Sequence, residues 1–474
     1  MKSMIKFVYL FILVVVFSGC NEGQPVEPEH SVALTDFLIS PASISLVDGG
    51  MPDAQQITVT LVPEDATDVT FTWSSGNTSV ATVSQTGLVT AAGVGTAQIS
   101  VVANDKIRKI VTVKVEKTRL PGTFRSPVYL QNPATDGMTV MWVANVPCQS
   151  WVEYGTDSLN MHRNAQIAED GLSKTNSTDN RIRLTGLQPG TRYFYRAFSR
   201  EVIPSSEDEF GPVFAGKISS FTTFDNENTD FTALIFNDLH DNHALFSKLY
   251  EQVKDIPYDI VFFNGDNIAD SPTKEFALLT LSTFCHVIGA DKIPSIFVRG
   301  NHESSALNGA YTPHLYDELL GKAAGEEHYG GFNIGDTRFV VLDFGDDNDH
   351  SIQLRPIQRE FLITEIRSNA FQSAARRVLI HHIPVYGIPA THPWSCFNAW
   401  GDVLAVAPFD ICLNAHQHYF RNIPKGEVGN NFPVVWGGGP DEQSGTVMVL
   451  RKQGTTMTLT VLNAQGGTLL SLNL

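Results

Sequence analysis

The sequence predicts a multidomain chain: two all-β sandwiches followed by an α/β domain. Three observations carry that reading. Residues 38–117 hold short alternating apolar runs separated by turn residues, and residues 118–225 do so again. From Phe231 onward, continuous apolar strands alternate with helical segments, the pattern of an α/β layer structure. At 474 residues the chain exceeds one typical core, so roughly two to four domains are expected.

The amino terminus reads as an export signal. Lys2 and Lys6 precede an apolar run over residues 7–17, and Ser18-Gly19-Cys20 follows. A basic start, a short apolar stretch and small residues before a cleavage point have this meaning, and the run is short for a membrane span. A Cys directly after the small pair resembles a bacterial lipobox. That implies a lipoprotein signal peptide over residues 1–19 and lipidation of Cys20, a plain secretory signal or a hydrophobic anchor being the alternatives. Residues 20–37, with Pro25 and Pro28 among polar neighbours, read as a tether off a membrane. The expected location is extracytoplasmic: a membrane-anchored bacterial lipoprotein facing the periplasm or the cell surface.

Charged residues make up 18% and hydrophobic ones 42%, a globular balance. The formal net charge of −17 argues against binding nucleic acid or anionic membranes through a broad surface. It leaves anionic substrates open, because divalent ions reverse the sign locally. Cys148, Cys285, Cys396 and Cys412 are scattered, with no disulfide framework or CxxC spacing. Their expected role is that of small buried hydrophobes.

In the first sandwich, 57–62, 69–73, 97–102 and 109–115 read as strands. The stretch Trp73-Ser74-Ser75-Gly76-Asn77-Thr78, continuing through Val80-Ala81-Thr82-Val83 and Gly87-Leu88-Val89-Thr90-Ala91, resembles a bacterial immunoglobulin-like domain of the second group. This implies a spacer or adhesion module without chemistry of its own. In the second sandwich, 138–143 and 150–155 alternate as strands, and 181–196 gives a strand, a Gly/Pro turn and another strand. This segment resembles a fibronectin type III-like domain, in particular the N-terminal domain of purple acid phosphatases. Trp142, Trp151 and Tyr193 occupy alternating strand positions, where core packing is expected over ligand stacking.

Residues 226–474 are the α/β part. The strand 231–236 leads to a helix marked by Leu245, Leu249 and Val253, then to a strand ending at Gly265-Asp266. Ser271-Pro272 opens a second helix, with a capping residue and a Pro at its first position, that runs to about Gly289. The run 445–450 reads as a closing strand of a second sheet.

Functional residues of such folds lie at the carboxyl ends of strands. Five clusters do: Asp238-Leu239-His240, Gly265-Asp266, Gly300-Asn301-His302-Glu303, His382-Ile383-Pro384 and His416-Gln417-His418. They offer oxygen and nitrogen ligands and no thiolate, which suits Zn²⁺, Mn²⁺ or iron. Asp266 is the natural bridge between two ions. A strand-like backbone at His416-Gln417-His418 would point both imidazoles the same way, each toward a different ion. Spacing alone leaves both His381 and His382 open as the ligand.

In this order the five motifs resemble the calcineurin-like metallophosphoesterase superfamily over residues 231–474. The resemblance implies a four-layer α-β-β-α domain and two divalent or trivalent metal ions of the Mn, Zn or Fe type. Asp238, His240, Asp266 and His418 would hold one ion; Asp266, Asn301, His382 and His416 would hold the other. His382 is chosen because it stands two before Pro384. His302 matches the position that protonates the leaving group or binds phosphate, with Asn301 beside it. His392 has the spacing of a phosphate-contacting His of purple phosphatases, a solvated loop His being the alternative. The implied reaction is phosphate ester hydrolysis by a metal-activated water, phosphomonoesters preferred.

Two positions depart from the pattern. Ala415 replaces the usual Gly before the His-x-His pair. Ala269 stands where purple phosphatases carry a Tyr three residues after the bridging Asp, so a metallophosphoesterase without purple colour is expected. The acidic Asp346, Asp347 and Asp349 near His350 lack EF-hand spacing and read as a solvated loop. Trp394, Phe397 and Trp400 either wall a pocket or pack a long loop. The competing readings are a phosphodiesterase of the same superfamily and a catalytically silent surface adhesion or glycan-binding lipoprotein. The expected partners are a phosphorylated small or macromolecular substrate and, through Cys20, a membrane.

Overall fold

The computed structural model describes residues 31–48, 54–117, 124–166, 168–169, 172–173, 177–203, 210–225, 227–269, 274–304, 329–343, 349–391 and 395–474. Cys20, Asp346, Asp347, His392, Trp394 and the Ser271-Pro272 helix start lie outside them. Among the described residues no helix is long and apolar enough to cross a membrane. The chain divides into two compact units.

Residues 36–117 form only strands and their connections among the described residues. Asp36–Ser40 pairs antiparallel with Thr58–Val62. A four-stranded sheet orders Ser43–Asp48, Ile107–Lys117, Gly95–Ala103 and Phe71–Ser75, and a three-stranded sheet joins Ala54–Gln56, Leu88–Ala91 and Ala81–Val83. Alternation puts Ile99, Val101, Ala103, Val111 and Val113 at full burial, and Phe37 and Trp73 are buried too.

The second unit holds the other sandwich and the α/β part, and one sheet runs through both. Tyr129–Gln131 pairs antiparallel with Gly137–Gly155 on one side. On the other, Gln131 lies opposite Ser295 of the parallel strand Ser295–Val298. The cores merge as well: Tyr129, Met141 and Val143 pack in one cluster with Phe263, Phe284 and Phe297. Asp291 ties the joint, its carbonyl accepting from the Tyr195 hydroxyl at 2.7 Å and its carboxylate from Ser219 Oγ at 2.6 Å. Elsewhere in the sandwich Trp142 and Tyr193 are core residues, and the Trp142 indole donates to Ser199 Oγ at 2.8 Å. Trp151, half-buried, stacks on Phe198 at 5.1 Å. All three aromatics pack as expected.

The α/β part is a four-layer α-β-β-α sandwich. In the first sheet Phe231–Phe236, Ile260–Asn264 and Ser295–Val298 run parallel. In the second, Thr337–Val341, Arg376–Ile380, Ile411–Asn414 and Val434–Trp436 run parallel, with Gly330–Ile334 and Arg421–Ile423 as antiparallel edges. Period-two alternation sorts the side chains. Ala233, Ile235, Ile260, Phe262, Ile296 and Val298 meet Val378, Ile380, Ile411 and Leu413 between the sheets. Leu234, Phe236, Val261, Phe263 and Phe297 turn to the helices His243–Glu251 and Lys274–Val287. Leu379, Cys412 and Trp436 turn to the opposite helical layer.

The first helix begins at Asn242, whose side chain accepts from the Leu245 amide at 3.0 Å. Leu245, Leu249 and Val253 are buried as their spacing predicts, Val253 just past the helix end. One expectation fails: Thr446–Gln453, which contains most of the 445–450 run, does not close the second sheet. It pairs antiparallel with Phe231–Phe236 in the first, because Met448 and Leu450 complete the inter-sheet core on that side. Trp400 is no pocket wall either, being fully buried in the outer helical core, while Phe397 is 40% exposed. Cys148, Cys285, Cys396 and Cys412 are all buried, in keeping with the role of small hydrophobes.

Candidate metal centre

Every parallel strand named in the five motifs delivers its cluster to the same rim of the sandwich. Strand parity decides between the adjacent histidines. His382 shares the parity of Val378 and Ile380 and turns into the space between the sheets; His381 shares that of Leu379 and turns outward. His381 is fully buried there, edge-on to Trp400 and with its Nε2 3.4 Å from Cys412 Sγ. His382 Nδ1 meets the Asn264 carbonyl at 2.8 Å. That bond places a proton on Nδ1 and aims Nε2 at the cluster.

The residues form two groups that share Asp266. In Asp238, His240, Asp266 and His418, and again in Asp266, His382 and His416, one ligand atom per residue lies within 4.8 Å of the others. The Asn301 Oδ1 adds to the second group, 2.7 Å from His416 Nδ1. His302 stands edge-on to His240 with ring centroids 4.6 Å apart.

A metal-ion pair fits these residues. His382 Nε2 and Asp266 Oδ2 are 3.0 Å apart and His240 Nε2 and Asp266 Oδ2 3.7 Å apart. Yet, among the described residues, none of these three buried atoms makes a hydrogen bond. Buried nitrogen and carboxylate ligand atoms that converge in this way match a site built for cations.

The loops beyond the strand ends are zipped together. The Asp238 amide donates to the Gly265 carbonyl (3.0 Å), the His240 amide to that of Asp266 (2.9 Å) and the Asp241 amide to that of Asn267 (3.1 Å). The Ala269 amide returns a bond to Asp241 Oδ2 at 2.9 Å. Glu303 ties in the third loop. Its Oε2 accepts from the amides of Asp266 and Gly300, and its Oε1 from that of Asn267, all at 2.8 Å. Asp266 Oδ1 in turn accepts from the His302 amide at 2.9 Å.

Tight loops impose strained backbone. Asp238, His240, Asp241, Asp266, His416 and His418 all have positive φ, between 44° and 72°, a conformation that costs non-glycine residues about 1–3 kcal/mol each. The strand-like backbone that would point both imidazoles of His416-Gln417-His418 the same way is therefore not met. Two left-handed residues carry the two imidazoles to different groups instead. Gly265 and Gly300 are dictated by space: a Cβ on Gly265 would lie 2.3 Å from His382 Nδ1, and one on Gly300 2.2 Å from Asp266 Oδ1.

Charge is shared unevenly. Burial pushes His240 down to about 4 and His416 down to about 3, which presents neutral imidazoles. Burial also opposes charge on His382, but the Asp266 and Asp238 carboxylates outweigh it and push this group up to about 10. Asp238 rises to about 7 through burial, against the pull of His382. Without an ion the cluster thus supplies its own counter-cation on His382.

Sequence reading missed the supporting residues: Glu303, Arg299, Asn237 and the Gly437-Gly438-Gly439 loop. Asn237 Nδ2 bonds both Asp238 Oδ2 and the Gly438 carbonyl at 2.9 Å. The run of three glycines was the available signal, since a Cβ on Gly437 would sit 2.0 Å from Asn237 Oδ1.

Family models match three segments. Residues 33–115 match the bacterial Ig-like domain (group 2), residues 125–223 the purple acid phosphatase N-terminal domain, and residues 231–420 the calcineurin-like phosphoesterase. No curated protein matches the chain. Among solved structures, the purple acid phosphatase PPD1 from seeds of yellow lupin (Lupinus luteus) superposes with a TM-score of 0.54 at 14% identity, over 92% of this chain and 95% of the lupin one. PhoD superposes with a TM-score of 0.51 at 12% identity, over 74% of this chain and 94% of PhoD. At such identities the likeness is one of fold. Residues 231–420 thus match the calcineurin-like phosphoesterase model, which supports a metal-dependent phosphoester hydrolase, with a match to the purple acid phosphatase N-terminal domain and to a group 2 Ig-like domain ahead of that segment.

Proposed function

We propose that this chain hydrolyses phosphate esters at a binuclear metal centre, with phosphomonoesters as its preferred substrates. The observation that carries the reading is the sharing of Asp266 by two convergent ligand groups. Asp238, His240, Asp266 and His418 would hold one ion, and Asp266, Asn301, His382 and His416 the other. Two such ions, when bound, supply neutralisation of the phosphoryl charge and an acidified water as nucleophile. The chain's own residues do the rest. The Asn264 carbonyl holds the His382 ring, so its Nε2 stays aimed at the centre. His302, as imidazolium, donates its proton to the departing alkoxide and, with Asn301, binds the phosphoryl oxygens. His392 is proposed as a further phosphate contact.

The monoester preference is supported by the purple acid phosphatase type of the front domain and by the likeness to the lupin enzyme. Lipidation of Cys20 would hold the enzyme on a bacterial membrane outside the cytoplasm. The test compares an aromatic phosphomonoester with the matching diester, on protein stripped of metal and resupplied with Mn²⁺, Zn²⁺ or Fe²⁺. Monoester turnover restored by metal and abolished by Asp266→Asn is expected. A diester preference would replace the substrate class, and no turnover with any metal would sink the reading in favour of a silent surface protein.

A further inference from the structure

The candidate ligands come from both sheets, so their spacing depends on what fixes the carboxyl rims of the sheets against each other. The inter-sheet core ends at Val298 on one side and at Ile380 and Leu413 on the other. Arg299 is the next residue after Val298 and directly precedes Gly300-Asn301-His302-Glu303. Its guanidinium crosses to Asp343, two residues past the strand Thr337–Val341 of the second sheet. Nε donates to Asp343 Oδ2 at 2.8 Å and Nη2 donates to the same oxygen. Both side chains are out of solvent, 4% and 0% exposed.

Asp343 is itself clamped. Its amide donates to Gln358 Oε1 at 2.8 Å, and Gln358 Nε2 donates to its carbonyl. Gln358 is fully buried on the helix Asp349–Glu365. A connected path therefore runs from the outer helix through Asp343 and Arg299 into the Asn301-His302 segment.

A solvent-excluded ion pair gives up the hydration of both charges, so an apolar pair of similar volume would serve stability as well or better. What the guanidinium adds is direction, because its planar fork fixes angle as well as distance. We propose that Arg299 is a positioning residue: through Asp343 it sets the end of the Ser295–Val298 strand so that Asn301 Oδ1 meets His416 and His302 stands beside His240. The proposal rests on the binuclear reading above.

The test uses the full-length protein as wild type, Arg299→Lys, and the double variant Arg299→Met with Asp343→Leu. Melting temperature, Mn²⁺ binding to the metal-stripped protein, and kcat and KM on an aromatic phosphomonoester are measured. The double variant should melt at or above the wild-type temperature. Its weaker Mn²⁺ affinity and its kcat should fall about 10–100-fold, with KM within about twofold and Arg299→Lys in between. Wild-type Mn²⁺ affinities and kcat in the folded double variant would overturn the proposal, leaving the pair a role in folding alone. If the double variant fails to fold, Arg299→Lys decides: weakened Mn²⁺ binding supports positioning, and unchanged binding overturns it. A wild type that binds two Mn²⁺ without hydrolysing esters would remove the reaction assigned above while the binding comparison still judges Arg299. A wild type that binds no Mn²⁺ ends both.

Discussion

Replacing Glu303 by Gln changes one atom of a fully buried side chain, and the hydrogen bonds around it say what that atom does. The carboxylate accepts from the Asp266 and Gly300 amides on Oε2, and from the Asn267 amide and side chain on Oε1. Whichever way a glutamine amide turns, its NH₂ faces two N–H donors. Leaving a buried donor unsatisfied costs about 1–3 kcal/mol, so two cost roughly 2–6. Removing the charge returns part of this, since burial and the neighbouring Asp266 already push the Glu303 carboxyl upward. A net loss of roughly 2–4 kcal/mol is expected by denaturant unfolding of metal-free protein. The same three loops carry Asp266 and Asn301, so metal affinity should fall about 10–100-fold. An E303Q protein with wild-type unfolding midpoint and wild-type Mn²⁺ affinity would refute the view that this carboxylate organises the centre.

Further outcomes are open to test. His302→Ala should lower kcat by about 10²–10⁴ on alkyl phosphates and by much less on aryl phosphates, whose leaving groups need no proton; equal losses on both would deny His302 the role of acid. His382, pushed up to about 10 in the metal-free cluster, is protonated at neutral pH and must lose that proton to coordinate. Loading apo-protein near pH 7.5 should therefore release protons to an indicator dye, and affinity should climb with pH toward about 10; a pH-independent affinity contradicts this. A chain starting at residue 226 should not fold by near-UV circular dichroism. It lacks Tyr129, Met141 and Val143 from the shared core, together worth about 5–9 kcal/mol at about 1.5–3 each, against a typical total of about 5–15. With iron bound, the protein should show no tyrosinate charge-transfer band, because position 269 is Ala.

The sequence by itself determined the layers and the residues that bear the chemistry. Largely apolar runs such as 231–236 are buried on both faces, which demands a layer on each side. Local pattern carries that information, because side-chain parity in a strand is a property of the strand alone. Parity even settles His382 over His381 once the strand Arg376–Ile380 is known to face the first sheet through Val378 and Ile380. Three things required the tertiary structure. Thr446–Gln453 joined the first sheet, since strand partners are chosen by long-range packing that no local window records. His416 and His418 took left-handed backbone, a conformation that no local pattern announces. And the supporting residues emerged, Glu303 with donors up to 37 positions away and Arg299 with Asp343 across 44. Ligand identity is written in short motifs. Ligand geometry depends on contacts between segments far apart in the chain, and those exist only when the two sheets close on each other.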